Sequence, residues 1–283
     1  MIMAGPSRKI WGFELAVVVV GLLAIAQQSM QLGRKFKIGT IKGNGVIYVK
    51  TGESSVNAAQ TVQILLASFD IKGIVHVGSA GAVDDSLSIG DVVVPKKVAF
   101  TGIWKWLTGK GWAASILRLQ LPRRRQFVGE HKLPTNHTVR HRKNKTTIFW
   151  LPLNSAWFDT ASQLENVELQ QCISTKKCLP RAPVIAKGLS SSTADIYVQN
   201  AAIREFIYTH FKASTVDEET AAVTLVALSN GVENIIVFRG ISNTAGGSTA
   251  YKSYSYLGSV NAVNVAVEFI GAVGTSKASI AAY

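Results

Sequence analysis

The chain has 283 residues, 47% of them hydrophobic and 17% charged, with 24 glycines against 7 prolines. This composition excludes a low-complexity or disordered chain and is large enough for one sizeable α/β core. The formal net charge of +13 is local: Lys105 to Lys145 holds eleven Lys or Arg against one acid, Glu130, and the rest of the chain sums to +3.

In chain order, Arg8 and Lys9 precede the apolar stretch Leu15–Ala26, and Ala24-Ile25-Ala26 has the small-x-small form of a signal-peptidase site before Gln27-Gln28. The apolar core falls short of the ~18 residues of a membrane span. Residues 1–26 therefore read as a signal peptide, with no membrane span after its cleavage, and residues 27–283 as a single domain. Phe36–Ile41 and Val46–Val49 predict a hairpin across Lys42-Gly43-Asn44-Gly45. Ser55–Phe69 predicts a helix with Val56, Ala59, Val62, Leu65 and Leu66 on one side. Ile74–Val77 predicts a buried strand entering a small-residue turn, Gly78-Ser79-Ala80-Gly81, whose backbone N–H groups no bulky side chain covers. Gly90-Asp91 opens the next β-branched run, with Pro95 after Val94 and the strand prediction extending to Val98.

Residues 107–148 follow no pattern and read as an irregular basic insertion. Beyond them, Ser155–Leu169 predicts a helix, Val184–Leu189 a strand and Gln199–Phe211 a helix. Thr215–Thr220 leads into an apolar helix, Ala221–Leu228, stopped by Asn230-Gly231. Asn234–Arg239 predicts a strand and Val260–Ile270 a last amphipathic helix. Strands alternating with helices predict a three-layer α/β domain.

A basic run can bind nucleic acid or an anionic surface. Here aromatics do not interleave with the charges as stacking platforms would, and no groove-docking motif is present, so a solvated loop is the better reading and no specific nucleic-acid partner is expected. The stretch carries two glycan acceptor sequons, at Asn136 and Asn144. Cys172 and Cys178 are the only cysteines; in a secreted chain they read as one disulfide, in a reducing compartment as two free thiols. The five His are scattered and form no metal constellation.

Five stretches recur together in order: the G-S-A-G segment, I-G-D-V-V-V, S-T-A-D-I-Y-V, V-D-E-E-T-A-A and R-G-I-S-N-T-A-G-G. With them the chain resembles the nucleoside phosphorylase and nucleosidase superfamily, over Gly33–Trp106 and Phe149 to about Phe269. T-G-I-W-K-W, F-W-L-P-L-N-S-A-W-F and the spaced cysteine pair make it most similar to the branch of plant bark storage and vegetative storage proteins. The resemblance implies an α/β/α phosphorylase-hydrolase-like domain with a central mixed sheet. It also implies cleavage of the N-glycosidic bond of purine nucleosides by phosphate or water, through a transition state like an oxocarbenium ion.

That chemistry needs the ribose hydroxyls gripped, the base held, and a proton or hydrogen bond given to the departing base. By resemblance, Glu219 is the ribose-binding carboxylate, Tyr197 stacks on the base with Val198 beside it, and Ser79, Ala80 and Gly81 lie along base and ribose. Glu218 stands where many relatives place a Met against the ribose. Asn243 stands where many have a catalytic Asp; an amide donates a hydrogen bond but carries no proton to give, which predicts impaired or lost activity. Only Gln27–Leu32 separates the signal peptide from the strand near Phe36, so the family's first strand and the catalytic residue after it are expected to be missing. The alternative reading is a non-catalytic storage protein, a nitrogen reserve, on the same fold. No cofactor is expected, phosphate being a possible co-substrate. The expected partners are a nucleoside or purine base and further copies of the chain, in a vacuolar or extracellular compartment of the secretory pathway.

Overall fold

The structure is a computed structural model that describes residues 2–4, 24–103, 105–106, 131–132, 137–141, 144–164, 166–248, 250 and 254–280. The elements in order are β1 (Ile2–Ala4), β2 (Ala24–Gln31), β3 (Arg34–Ile41), β4 (Asn44–Tyr48), α1 (Ser55–Ser68), β5 (Ile71–Ala82), β6 (Val92–Val94), β7 (Lys97–Phe100), β8 (Lys105–Trp106) and β9 (His131–Lys132). They continue with β10 (His137–His141), β11 (Asn144–Ile148), β12 (Leu151–Pro152), α2 (Ser155–Ser162), β13 (Cys172–Ser174), β14 (Lys177–Cys178), β15 (Ile185–Lys187) and β16 (Ser190–Thr193). The last five are α3 (Ala201–Phe211), β17 (Thr215–Asp217), α4 (Thr220–Ser229), β18 (Ile235–Thr244) and α5 (Tyr256–Ile280).

Twelve strands form one mixed sheet, ordered β12-β7-β16-β17-β5-β1-β4-β3-β2, with β18 bridging β5 to β6 and β15 beyond β6. The central strands are buried on both faces, so they read as continuous apolar runs. In β18, Ile235 and Val237 meet α1 and α4 on one side, while Ile236 and Phe238 meet α2 and α5 on the other. This is the three-layer α/β/α arrangement expected. Helix α5 is long and apolar enough to cross a membrane by length and composition, but Val265, Ala266, Phe269 and Ile270 are buried against the sheet.

Several local expectations are corrected. Gly78–Gly81 is not a turn: β5 runs straight through it, because β18 pairs with it in parallel from Ile74 to Ala82. The glycine at 78 is needed for space, since a Cβ there would lie 1.9 Å from Nη1 of Arg239. The buried face of α1 is rotated from the one expected; Ala58, Thr61, Val62, Ile64 and Leu65 face the core and Val56 is 73% exposed. The hairpin loop is the two residues Lys42 and Gly43, both at positive φ, with Ile41 paired to Asn44. The Val92–Val98 strand is two, β6 and β7, split around Pro95. Helix α2 stops at Ser162, seven residues short of the expected end, before Asn166 takes a positive φ.

Within the basic stretch, β10 and β11 form an antiparallel hairpin, His137 opposite Ile148, where Thr138, Val139, Thr146 and Thr147 favour the extended backbone. Asn144 opens β11, and Asn136 lies outside the described residues. In place of a missing first strand the sheet has β1, three residues long, between β4 and β5. It comes from the segment read as a signal peptide, as do Ala24-Ile25-Ala26 at the start of β2; residues 5–23 lie outside the described residues. Cys172 and Cys178 form a disulfide that closes the β13–β14 ribbon.

Candidate active site

The site begins with a gap in the sheet. Along one edge β5 pairs with β18; along the other, β1 takes only Ile71, Gly73 and Ile74, and β17 only Gly81 and Ala82. Between those ends the edge of β5 has no strand partner among the described residues, and two cavities open there. The central one, about 430 Å³, is lined by Ser79, Ala80 and Gly81 from β5, by Ile196, Tyr197 and Val198 after β16, by Asp217 at the end of β17 with Glu218 and Glu219 before α4, and by Ser242 and Asn243 on β18. Its size is typical of a small-molecule site. All eight candidate substrate and catalytic residues line this one space.

The inner end is held by charge. Arg239 is 2% exposed, and each nitrogen of its fork is engaged. Nε donates to Thr220 Oγ1 at 2.8 Å and lies 3.1 Å from Asp217 Oδ2; Nη1 donates to the Ser79 carbonyl at 3.2 Å; Nη2 donates to Glu219 Oε2 at 3.1 Å and to His76 Nε2 at 2.6 Å. A buried guanidinium with two carboxylates and further acceptors is the arrangement in which such a charge is tolerated.

Asp217 is fixed in turn. Its Oδ1 accepts from Thr193 Oγ1 at 2.8 Å and from the Glu219 and Thr220 amides at 3.0 and 2.9 Å, so it caps the first turn of α4 and sets where Glu219 points. Burial raises the pKa of the Glu219 carboxyl, Arg239 pulls it back, and Asp217 and Glu218 push it up further. Glu218 is raised as well, chiefly by burial and then by Asp195, Glu53 and Asp217.

The outer end is held more sparsely. Between Ile241 and Asn243 the β5–β18 register shifts, a bulge that re-aims Asn243 into the cavity. Ser242 Oγ donates to Asn243 Oδ1 at 3.0 Å, which leaves the amide N–H groups to face a ligand. Tyr197 lines the wall and is 66% exposed. Tyr197, Ser242 and Asn243 also line an outer cavity of about 460 Å³ that extends to Gly246 and Ser255. Among the described residues no three His, Cys, Asp or Glu side chains are placed to hold a metal ion.

Asp217, Arg239 and His76 belong to this network and were not singled out from the sequence. A signal for two of them was available: a lone Arg in Ile235–Gly240 and a lone His in Ile74–Gly78, each inside a run that reads as fully buried, must find partners.

The phosphorylase superfamily profile matches residues 24–276. This chain belongs to that superfamily. Within it, bark storage protein A of Populus deltoides is 38% identical over 260 residues, 87% of this chain and 80% of that protein, and bark storage protein B is 37% identical over the same shares. The superfamily member is thus a nucleoside phosphorylase-like protein of the bark storage family. A 5'-methylthioadenosine/S-adenosylhomocysteine nucleosidase of Halalkalibacterium halodurans is 23% identical over 85% of this chain and 86% of its own. The solved S-adenosylhomocysteine nucleosidase of Streptococcus pyogenes, in complex with 5-methylthiotubericidin, superposes with a TM-score of 0.63 at 20% identity, covering 90% of each chain. The Streptococcus pneumoniae nucleosidase with a transition-state inhibitor gives 0.62 at 19%, covering 90% and 93%. Likeness at these identities concerns the fold.

Proposed function

We propose that the central cavity binds a purine nucleoside and cleaves its N-glycosidic bond slowly. The observation that carries this reading is the Glu219–Arg239 pair at the inner end of a cavity that also holds Tyr197 and Asn243. Glu219, kept ionised by Arg239, accepts two ribose hydroxyl hydrogen bonds and offsets the positive charge that grows on the sugar. Tyr197 and Val198 flank the base, Glu218 lies along the ribose, and Ser79–Gly81 form the floor. The bonding pair leaves with the base; Asn243 donates an N–H hydrogen bond to it, and the proton comes from solvent. General acid catalysis contributes about 10²–10⁴-fold, so a site with an amide here is slow. Water or phosphate attacks the freed anomeric carbon.

The test is release of free base from adenosine, inosine or methylthioadenosine, with and without phosphate. The expected outcome is slow release that Glu219→Gln abolishes; stimulation by phosphate identifies phosphate as co-substrate. A second reading, a storage protein with no turnover, is favoured by the amide at Asn243 and by the bark storage relatives; folded protein that binds nucleoside and releases no base supports it.

The amino-terminal pattern and the two sequons support passage through the secretory pathway to a vacuolar or extracellular site, with glycans at Asn136 and Asn144. Amino-terminal sequencing and glycosidase shifts of the mature protein check this: a chain starting near Gln27 supports cleavage, and one retaining Met1 keeps β1 in the sheet. The exposed Ile196 and Tyr197 at the cavity support a homo-oligomer, measured by analytical ultracentrifugation.

A further inference from the structure

We infer that His76 is a positioning residue: its Nε2 lone pair orients the Arg239 fork so that the fork reaches Glu219 and keeps that carboxylate ionised. The inference rests on the role proposed above for Glu219. Arg239 can only donate, so the 2.6 Å contact from its Nη2 makes His76 Nε2 the acceptor and puts the ring proton of a neutral imidazole on Nδ1. The same Nη2 donates to Glu219 Oε2 at 3.1 Å. Its two N–H groups therefore split between His76 and Glu219, and the histidine fixes the rotation of the group that grips the carboxylate. His76 itself cannot turn freely: it is 6% exposed, on β5, beside Val237 of β18.

The two residues meet in a second cavity, about 340 Å³, behind the central one; Glu53, Ser79 and Glu219 line both. The ionisable groups that border it besides His76 are Arg239 on β18, Glu219 at the start of α4, Tyr48 at the end of β4, and Lys50 and Glu53 after it; α5 brings Ser259 and Val263, and the positive amino terminus of the chain also acts on His76. Asp217 on β17 reaches the far side of the guanidinium. Burial, then the adjacent Arg239, hold the His76 pKa well below its usual value, in keeping with a neutral ring that accepts. A protonated His76 would have no lone pair at Nε2 and would repel Arg239.

The test compares His76→Leu, which removes the acceptor at similar bulk, with His76→Gln, which places an amide oxygen near the Nε2 position. The reading is the Glu219 pKa, measured by carboxyl ¹³C NMR in each protein, with unfolding curves to confirm the fold. In His76→Leu the Glu219 pKa is expected to rise by about one pH unit, and in His76→Gln to stay at the wild-type value. Imidazole ¹⁵N shifts of the wild type should report the Nδ1–H tautomer at pH 6. Where turnover is measured, the acid limb of kcat/KM should move up with Leu and not with Gln. An unchanged Glu219 pKa in His76→Leu, or an Nε2–H tautomer, overturns the inference; if the Leu variant does not fold, a raised Glu219 pKa in His76→Gln, or that tautomer, overturns it. A wild type that neither binds nor cleaves adenosine overturns the proposed function instead, and leaves the NMR readings to decide the role of His76.

Discussion

The two ends of the central cavity are built differently. At the inner end Glu219 is one member of a buried network in which Arg239, Asp217, Thr220, Thr193, Ser79 and His76 each hold another. At the outer end Asn243 stands on a bulge with one hydroxyl bond to its side-chain oxygen, and Tyr197 is mostly in solvent. A fully satisfied buried network of this kind holds the carboxylate in one orientation, which is what the proposed grip on the ribose hydroxyls needs. A single amide beside an exposed ring can give a base a hydrogen bond but has no proton to supply. On the proposed reading, this contrast predicts a cavity that binds nucleoside better than it turns it over.

The largest effect is expected from breaking the inner end. Arg239→Leu leaves Asp217 and Glu219 as buried carboxylates without their cation. Removing one partner of such a pair costs about 3–5 kcal/mol, so denaturant unfolding should show a loss of that order and calorimetry no nucleoside binding. Arg239→Lys restores a charge but not the fork, and should recover part of the stability and little of the affinity. If Arg239→Leu binds nucleoside like the wild type, the inner end is only structural and the contrast between the ends fails.

The outer end can be sharpened instead of broken. Asn243→Asp places a carboxyl where Ser242 Oγ already donates, and so offers the departing base a proton source. Base release should rise by about tenfold or more, within the range general acid catalysis supplies, and the rate should fall as pH rises and the carboxyl ionises. An Asp variant no faster than the wild type would mean that the chemical step is limited elsewhere.

How much of this the sequence disclosed follows the same division. Glu219, Asn243, Tyr197 and Ser79–Gly81 were legible because each sits in a short ordered motif, and the motifs come in family order. The α/β/α layering was legible from apolar runs at strand and helix spacing. What was hidden depended on contacts between distant strands. Gly78–Gly81 reads as a turn by composition, and only pairing with β18 makes it a strand whose small residues admit the Arg239 side chain. Asp217 lies in the run Thr215–Thr220 that reads only as the lead into a helix, whereas it ends β17 and caps α4 from outside the helix. Val56 reads as core because helical spacing fixes a face only to within a rotation, and packing chose a different one.

The smallest effect concerns the acids between the two ends. Glu218 has its pKa raised by burial first, then by Asp195, Glu53 and Asp217. A carboxyl that holds its proton more tightly in the folded state than in the unfolded chain favours folding at low pH and costs stability as pH rises through its folded pKa. Glu218→Gln removes that cost, so the variant should melt slightly higher than the wild type at pH 7, and the difference should vanish below about pH 4.5, where the unfolded carboxyl also takes up its proton. The side chain is only partly buried, so water screens the repulsion and keeps the gain below about 1 kcal/mol. The same substitution at Glu219 should behave differently. There Arg239 opposes the burial cost, and loss of the carboxylate leaves a buried guanidinium short of a partner, so Glu219→Gln should not share the gain at pH 7. Unfolding curves of the two variants across pH 4 to 8 separate an acid that merely crowds the site from one that the inner network is built to hold.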